Sequence, residues 1–163
     1  MPRLLVTDAN ILIDLAIAKS AQLLFIDGYR VVVSVDVFYE INPDQMDYWR
    51  PLVDAGRLHL EEADEDIVDH LRTQHSTSLS DPDLTFFALL TKGNCIALSG
   101  DQKLVKACRK AGHEAHGLLW LLDQHAQDKA NFSTLHSALS VIMDHNSRLP
   151  VKECSHRLTF WKG

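Results

Sequence analysis

Short apolar runs that give way at once to helical spacing constrain this chain more than any other feature. Leu4-Leu5-Val6-Thr7 is followed by apolar residues at helical intervals over 9–16. Val31-Val32-Val33 is followed by a helical turn over 37–41, and Cys95-Ile96-Ala97-Leu98 by a helix over 102–111. A run that is apolar on both faces and rich in β-branched residues suits a parallel strand covered by helices on both sides. Two shorter strand candidates, 58–60 and 113–116, continue the alternation. So do helical stretches over 20–26, 46–55, 64–74, 81–91, 118–127 and 133–143, and Pro150 opens a last helix. A polar stretch over 73–79 separates two of the helices, while Gly28, Gly56, Gly93 and Gly112 each stop a helical pattern. Strand and helix in alternation predict an α/β fold with a mainly parallel central sheet.

At 163 residues the chain suits one domain, 1–163. Its 46% hydrophobic and 23% charged residues are enough to build a globular core. No apolar run nears the ~20 residues of a membrane span. Asp8, Asn10 and Asp14 spoil the amino-terminal stretch as a secretory signal, so the expected location is cytoplasmic. Cys95, Cys108 and Cys154 are odd in number and form no Cys-x-x-Cys pair, which excludes a disulfide framework and a zinc ribbon. A net charge of -6 is unlike a generic nucleic-acid binder. The charge is uneven, however: residues 1–128 carry 11 Lys and Arg against 20 Asp and Glu, and residues 129–163 carry 5 against 2.

Four acids stand out from this background. Asp8 and Asp101 follow strand runs directly, Asp83 opens a helix in Ser80-Asp81-Pro82-Asp83, and Glu40 lies on the element after another strand. In a parallel sheet the carboxyl ends of the strands share one edge, and ligands of open α/β sheets bind in the crevice beyond it. Acids gathered there repel one another, and the usual remedy is a hard cation such as Mg²⁺ or Mn²⁺, which takes oxygen ligands. Each acid also has a structural use: Asp8 and Asp101 as N-caps, Ser80 with Asp83 as a capping box, Glu40 as an exposed helix residue. Their joint placement favours a site.

Five stretches carry a family resemblance. They are Leu4-Leu5-Val6-Thr7-Asp8-Ala9-Asn10-Ile11-Leu12-Ile13-Asp14-Leu15, Val32-Val33-Ser34-Val35-Asp36-Val37-Phe38-Tyr39-Glu40-Ile41, Leu79-Ser80-Asp81-Pro82-Asp83, Ala97-Leu98-Ser99-Gly100-Asp101-Gln102-Lys103-Leu104 and His116-Gly117-Leu118-Leu119-Trp120-Leu121-Leu122-Asp123. In order and spacing the chain resembles a PIN domain, the fold of many small nucleases, including VapC-type toxins. The resemblance implies a three-layer α/β/α core over about 3–128; it does not cover the segment over about 129–163, which reads from its own pattern as a C-terminal helical extension. It places the family's acidic quartet at Asp8, Glu40, Asp83 and Asp101, with Asp81 as the competing third acid. It also gives Asn10 and Ser99 supporting polar roles beside the acids.

The activity so implied is hydrolysis of RNA phosphodiesters with carboxylate-bound Mg²⁺ or Mn²⁺. The protein would be the toxin of a toxin–antitoxin pair, with a small antitoxin as partner and a homodimer also in prospect. Lys103, Lys106 and Lys110 share one helix face and are candidate RNA phosphate contacts, with Arg148, Lys152, Arg157 and Lys162 as a further basic arm. His113 and His116 point to opposite faces of a strand, which argues against a zinc pair. Trp120, Leu119 and Leu122 read as core or interface rather than a base-stacking platform. Two other readings stay open. One is a haloacid-dehalogenase-type phosphatase, although Asn10 stands where a second Asp is wanted. The other is a non-catalytic PIN-like binding module.

Overall fold

A computed structural model describes residues 2–75 and 79–162. Five strands, β1 (Arg3–Thr7), β2 (Tyr29–Ser34), β3 (Leu58–Glu61), β4 (Cys95–Leu98) and β5 (Glu114–His116), form one sheet in the order β3-β2-β1-β4-β5. Every neighbouring pair is parallel. The runs that read as apolar on both faces are buried: Leu5 and Val6, Val31 to Val33, and Ile96 to Leu98.

The chain steps outward from β1 to β3, then returns to the other side of β1 for β4 and β5. That reversal makes the β1–β4 boundary the topological switch point, where an open α/β sheet leaves a crevice. The register pairs Thr7 with Leu98, and the Asp8 amide donates to the Leu98 carbonyl at 3.0 Å. The residues after both strands therefore emerge side by side.

The described helices are α1 (Ala9–Ile17), α2 (Val35–Phe38), α3 (Pro43–Asp54), α4 (Glu65–Gln74), α5 (Asp81–Leu90), α6 (Gln102–Lys110), α7 (Leu118–His125), α8 (Phe132–His145) and α9 (Val151–Trp161). Together with the sheet they make three α/β/α layers. Most expected elements are present, with local shifts that have local causes. The helix expected over 20–26 is a single 3-10 turn, Ala21–Leu24. The turn expected over 37–41 begins two residues earlier, because the Ser34 hydroxyl accepts the Val37 amide and caps it. Glu40 consequently lies in the turn after α2. Helix α3 starts at Pro43 rather than 46, since Asn42 and Gln45 form a capping box. The middle of the polar stretch over 73–79 lies outside the described residues.

The last two helices belong to the same apolar cluster as the sheet. Helix α8 packs on α1 and α9 on α8. Leu135, Leu139, Ile142 and Cys154 are fully buried, and Trp161 nearly so. All three cysteines are free and buried.

Candidate active site

Asp8 is the most constrained of the four acids. It ends β1 and caps α1, and one carboxylate oxygen, Oδ1, accepts the Ile11 amide at 3.1 Å. The other, Oδ2, accepts the Ser99 hydroxyl at 2.6 Å and the Gly100 amide at 3.2 Å. The residue is only 5% exposed. Burial pushes its pKa up to about 6, and the charge of Asp83 adds to the rise, while the three hydrogen bonds oppose it. A carboxylate has about four acceptor sites, so one remains on Oδ1.

Ser99 joins the two acids that flank the switch point. Its hydroxyl donates to Asp8 and accepts the Asp101 amide at 3.0 Å. Asp101 caps α6 by accepting the Lys103 amide at 2.9 Å. Gly100 lets α1 approach closely: a Cβ there would stand 2.8 Å from the Asn10 Cβ. Ser99 bonds both Asp8 and Asp101, whereas Asn10 packs on Gly100 and its side-chain oxygen accepts from Arg148.

The third acid has two contenders, and they face different ways. Asp81 is exposed and pairs with Arg72 at 3.1 Å, and Arg72 also holds Asp69 at 2.9 Å. Asp83 is half-buried, closes the capping box with Ser80, and contributes to the raised pKa of both Asp8 and Glu40. Glu40 is itself exposed, and partial burial is the larger cause of its upward shift. Asp83 is therefore the acid whose charge Asp8 and Glu40 feel. Among the described residues, no three His, Cys, Asp or Glu side chains stand close enough together to hold one ion directly.

Sequence reasoning missed two features. Ser34 and Thr85 form a buried hydroxyl pair at 2.8 Å, tying the end of β2 to the helix that begins at Asp81. Only their positions, one at a strand end and one two residues past Asp83, hint at this. Asp14 is also buried. It accepts the Asn146 side-chain amide at 3.0 Å, and its pKa is pushed up to about 6 by burial. Beside this pair, the Arg148 guanidinium donates to Asn10 Oδ1 at 3.2 Å.

The basic candidates divide. Lys103, Lys106 and Lys110 are exposed and make no salt bridge among the described residues. Lys152 and Lys162 are also exposed. Arg157 does not belong to a free basic arm, since Asp123 holds it through two bonds of 2.8 and 2.6 Å. His113 meets the edge of Phe87, while His116 stacks on Trp120.

These features define a class: a three-layer α/β/α protein with an acidic crevice at the switch point of an all-parallel sheet. The chain belongs to the PIN-domain family, whose model DUF3368, described as a PIN domain, matches residues 4–162. That match runs through α8 and the whole of α9. PIN domains are in general nucleases that use divalent metals such as Mg²⁺, which sets aside the phosphatase alternative. No curated protein matches the chain. No described helix is long and apolar enough to cross a membrane.

The residues present fit a hard divalent ion. The donors are all carboxylate oxygens, the charge of Asp83 acts on Asp8 and on Glu40, and Asp8 keeps an acceptor site free.

Proposed function

We propose that this protein is a metal-dependent endoribonuclease whose site is Asp8, Glu40, Asp83 and Asp101. The observation that carries the reading is the buried Asp8 carboxylate at the switch point, linked to Asp101 through Ser99 and raised partly by Asp83. A bound Mg²⁺ or Mn²⁺ would acidify a water and offset charge on the phosphate. The chain's own part is to hold its acids in place. Ser99 and Gly100 orient Asp8, the α6 cap orients Asp101, and the Ser80 box orients Asp83. Asp81 stays with Arg72 outside the set. Lys103, Lys106 and Lys110 hold RNA phosphates along α6.

The resemblance to VapC-type toxins supports a toxin role, with a small antitoxin covering the crevice. Exposed Phe160, 5.5 Å from the Phe132 ring, supports a homodimer joined through the last helices. We further propose that residues 1–163 act as one unit.

The test is cleavage of a mixed RNA pool with Mg²⁺ or Mn²⁺, beside EDTA and Asp8→Asn controls. Both controls should lower cleavage by at least about 100-fold, the scale of several kcal/mol of metal-supplied stabilisation. Full activity in folded Asp8→Asn protein would remove Asp8 from the site.

A further inference from the structure

Beside Asp101 the sheet edge opens into a cavity of about 370 Å³ that the four acids leave largely free. Small-molecule sites run from roughly 300 to 1,000 Å³. The walls come from Gly100 to Gln102, from the start of α7, and from the segment between α8 and α9.

Three observations give this cavity its chemistry. Trp120 is half-buried and borders it. The indole is stacked on the His116 ring, with centroids 4.4 Å apart and planes 5° apart, and His116 is not part of the wall. Arg148 borders the cavity too. Among the described residues its guanidinium makes one hydrogen bond, to Asn10, out of five N–H donors. Finally, α7 starts at Gly117 with no capping side chain, so its first-turn amides have no side-chain acceptor.

The wall also carries carboxylates: Asp101, Glu153 and the buried Asp14. Their charge disfavours a small bare anion. A nucleotide unit answers both demands, since its base is uncharged and its single diester charge can sit on the guanidinium.

We propose that this cavity is a nucleotide subsite for single-stranded RNA. An unpaired base lies against Trp120 and its phosphate meets Arg148, which brings the adjoining phosphodiester to Asp101. Base–aromatic stacking with backbone contacts is a sequence-tolerant way to hold a single strand. The subsite rests on the nuclease reading for its substrate and adds a requirement to it: the nucleotide beside the cleaved bond must be unstacked, so duplex RNA is a poor substrate.

The test reads binding without cleavage. In EDTA at low salt, a ten-nucleotide single-stranded RNA and an abasic tetrahydrofuran strand of equal length are titrated into wild type, Trp120→Leu, Trp120→Phe and Arg148→Gln. Trp120→Leu should weaken RNA binding about 10-fold, within the range for loss of one stacked base, and leave the abasic strand unchanged. Trp120→Phe should keep most of the affinity, which also guards against misfolding. Arg148→Gln should weaken both ligands. Trp49 and Trp161 are buried, so RNA should quench the emission of Trp120. Absence of RNA binding by wild type, or Trp120→Leu that binds as wild type or loses both ligands equally, overturns the subsite. Failure of the nuclease reading appears separately, as wild-type protein that binds the RNA strand in EDTA but cleaves no RNA with Mg²⁺ or Mn²⁺.

Discussion

Asp8 lies just past β1 at the switch point of the sheet and yet is 5% exposed, and three donors hold its carboxylate. Ser99 matters most among these, since its hydroxyl is the largest influence keeping the Asp8 pKa down. Ser99→Ala removes that bond and leaves the Asp101 amide without its acceptor. The expected result is a loss of about 1–3 kcal/mol of stability. The acid limb of the cleavage profile should also move to higher pH, because Asp8 would then ionise above about 6. A limb that stays in place would show that Asp8 ionisation does not set it. Asp8, Ser99 and Asp101 stood out in the sequence because they sit at strand-to-helix junctions, while Asp83 stood out in the helix-opening Ser80-Asp81-Pro82-Asp83 and Glu40 on the element after a strand run. Asp81 competed with Asp83 there, with the family resemblance favouring Asp83; in the fold Asp81 pairs with Arg72, while the charge of Asp83 acts on Asp8 and Glu40.

Between elements, the telling contact joins α1 to the segment after α8. Asp14 and Asn146 are 132 residues apart in sequence and meet at 3.0 Å. Asp14 titrates near 6 in the fold against an ordinary 3.8. Between those values the folded chain holds a proton that the unfolded chain releases, so this group's contribution to stability falls as pH rises from about 4 to about 6. Asp14→Asn removes the dependence. Denaturant unfolding should show the variant gaining roughly 2–4 kcal/mol relative to wild type between pH 4 and pH 7, and a constant difference would mean that Asp14 is not so perturbed. Periodicity placed α1 correctly but could not reveal this burial, since an acid on an amphipathic helix ordinarily faces water. The capping residues that start α2 and α3 early were present in the sequence as Ser34 and Asn42, and apolar spacing alone set those starts too late.

For the molecule as a whole, α8 decides whether the C-terminal segment is an appendage or part of the core. Leu139 is fully buried, on a helix packed against α1. Leu139→Ala should cost about 2–5 kcal/mol, as in any core position, and unfolding should remain a single transition. A second transition, or a loss below about 1 kcal/mol, would mark α8 and α9 as separable. The alternation of apolar strands and helices determined the α/β class and, with it, a shared edge for the acids, because side-chain burial on both faces is a local property of each run. Strand order is not local. Only the tertiary structure decided that β4 lies beside β1, which pairs Asp8 with Ser99 and Asp101, and that the segment after α8 returns to Asn10 and Asp14. Contacts across 90 to 140 residues depend on which surfaces remain unburied once the sheet has formed, and no periodicity in the chain encodes that.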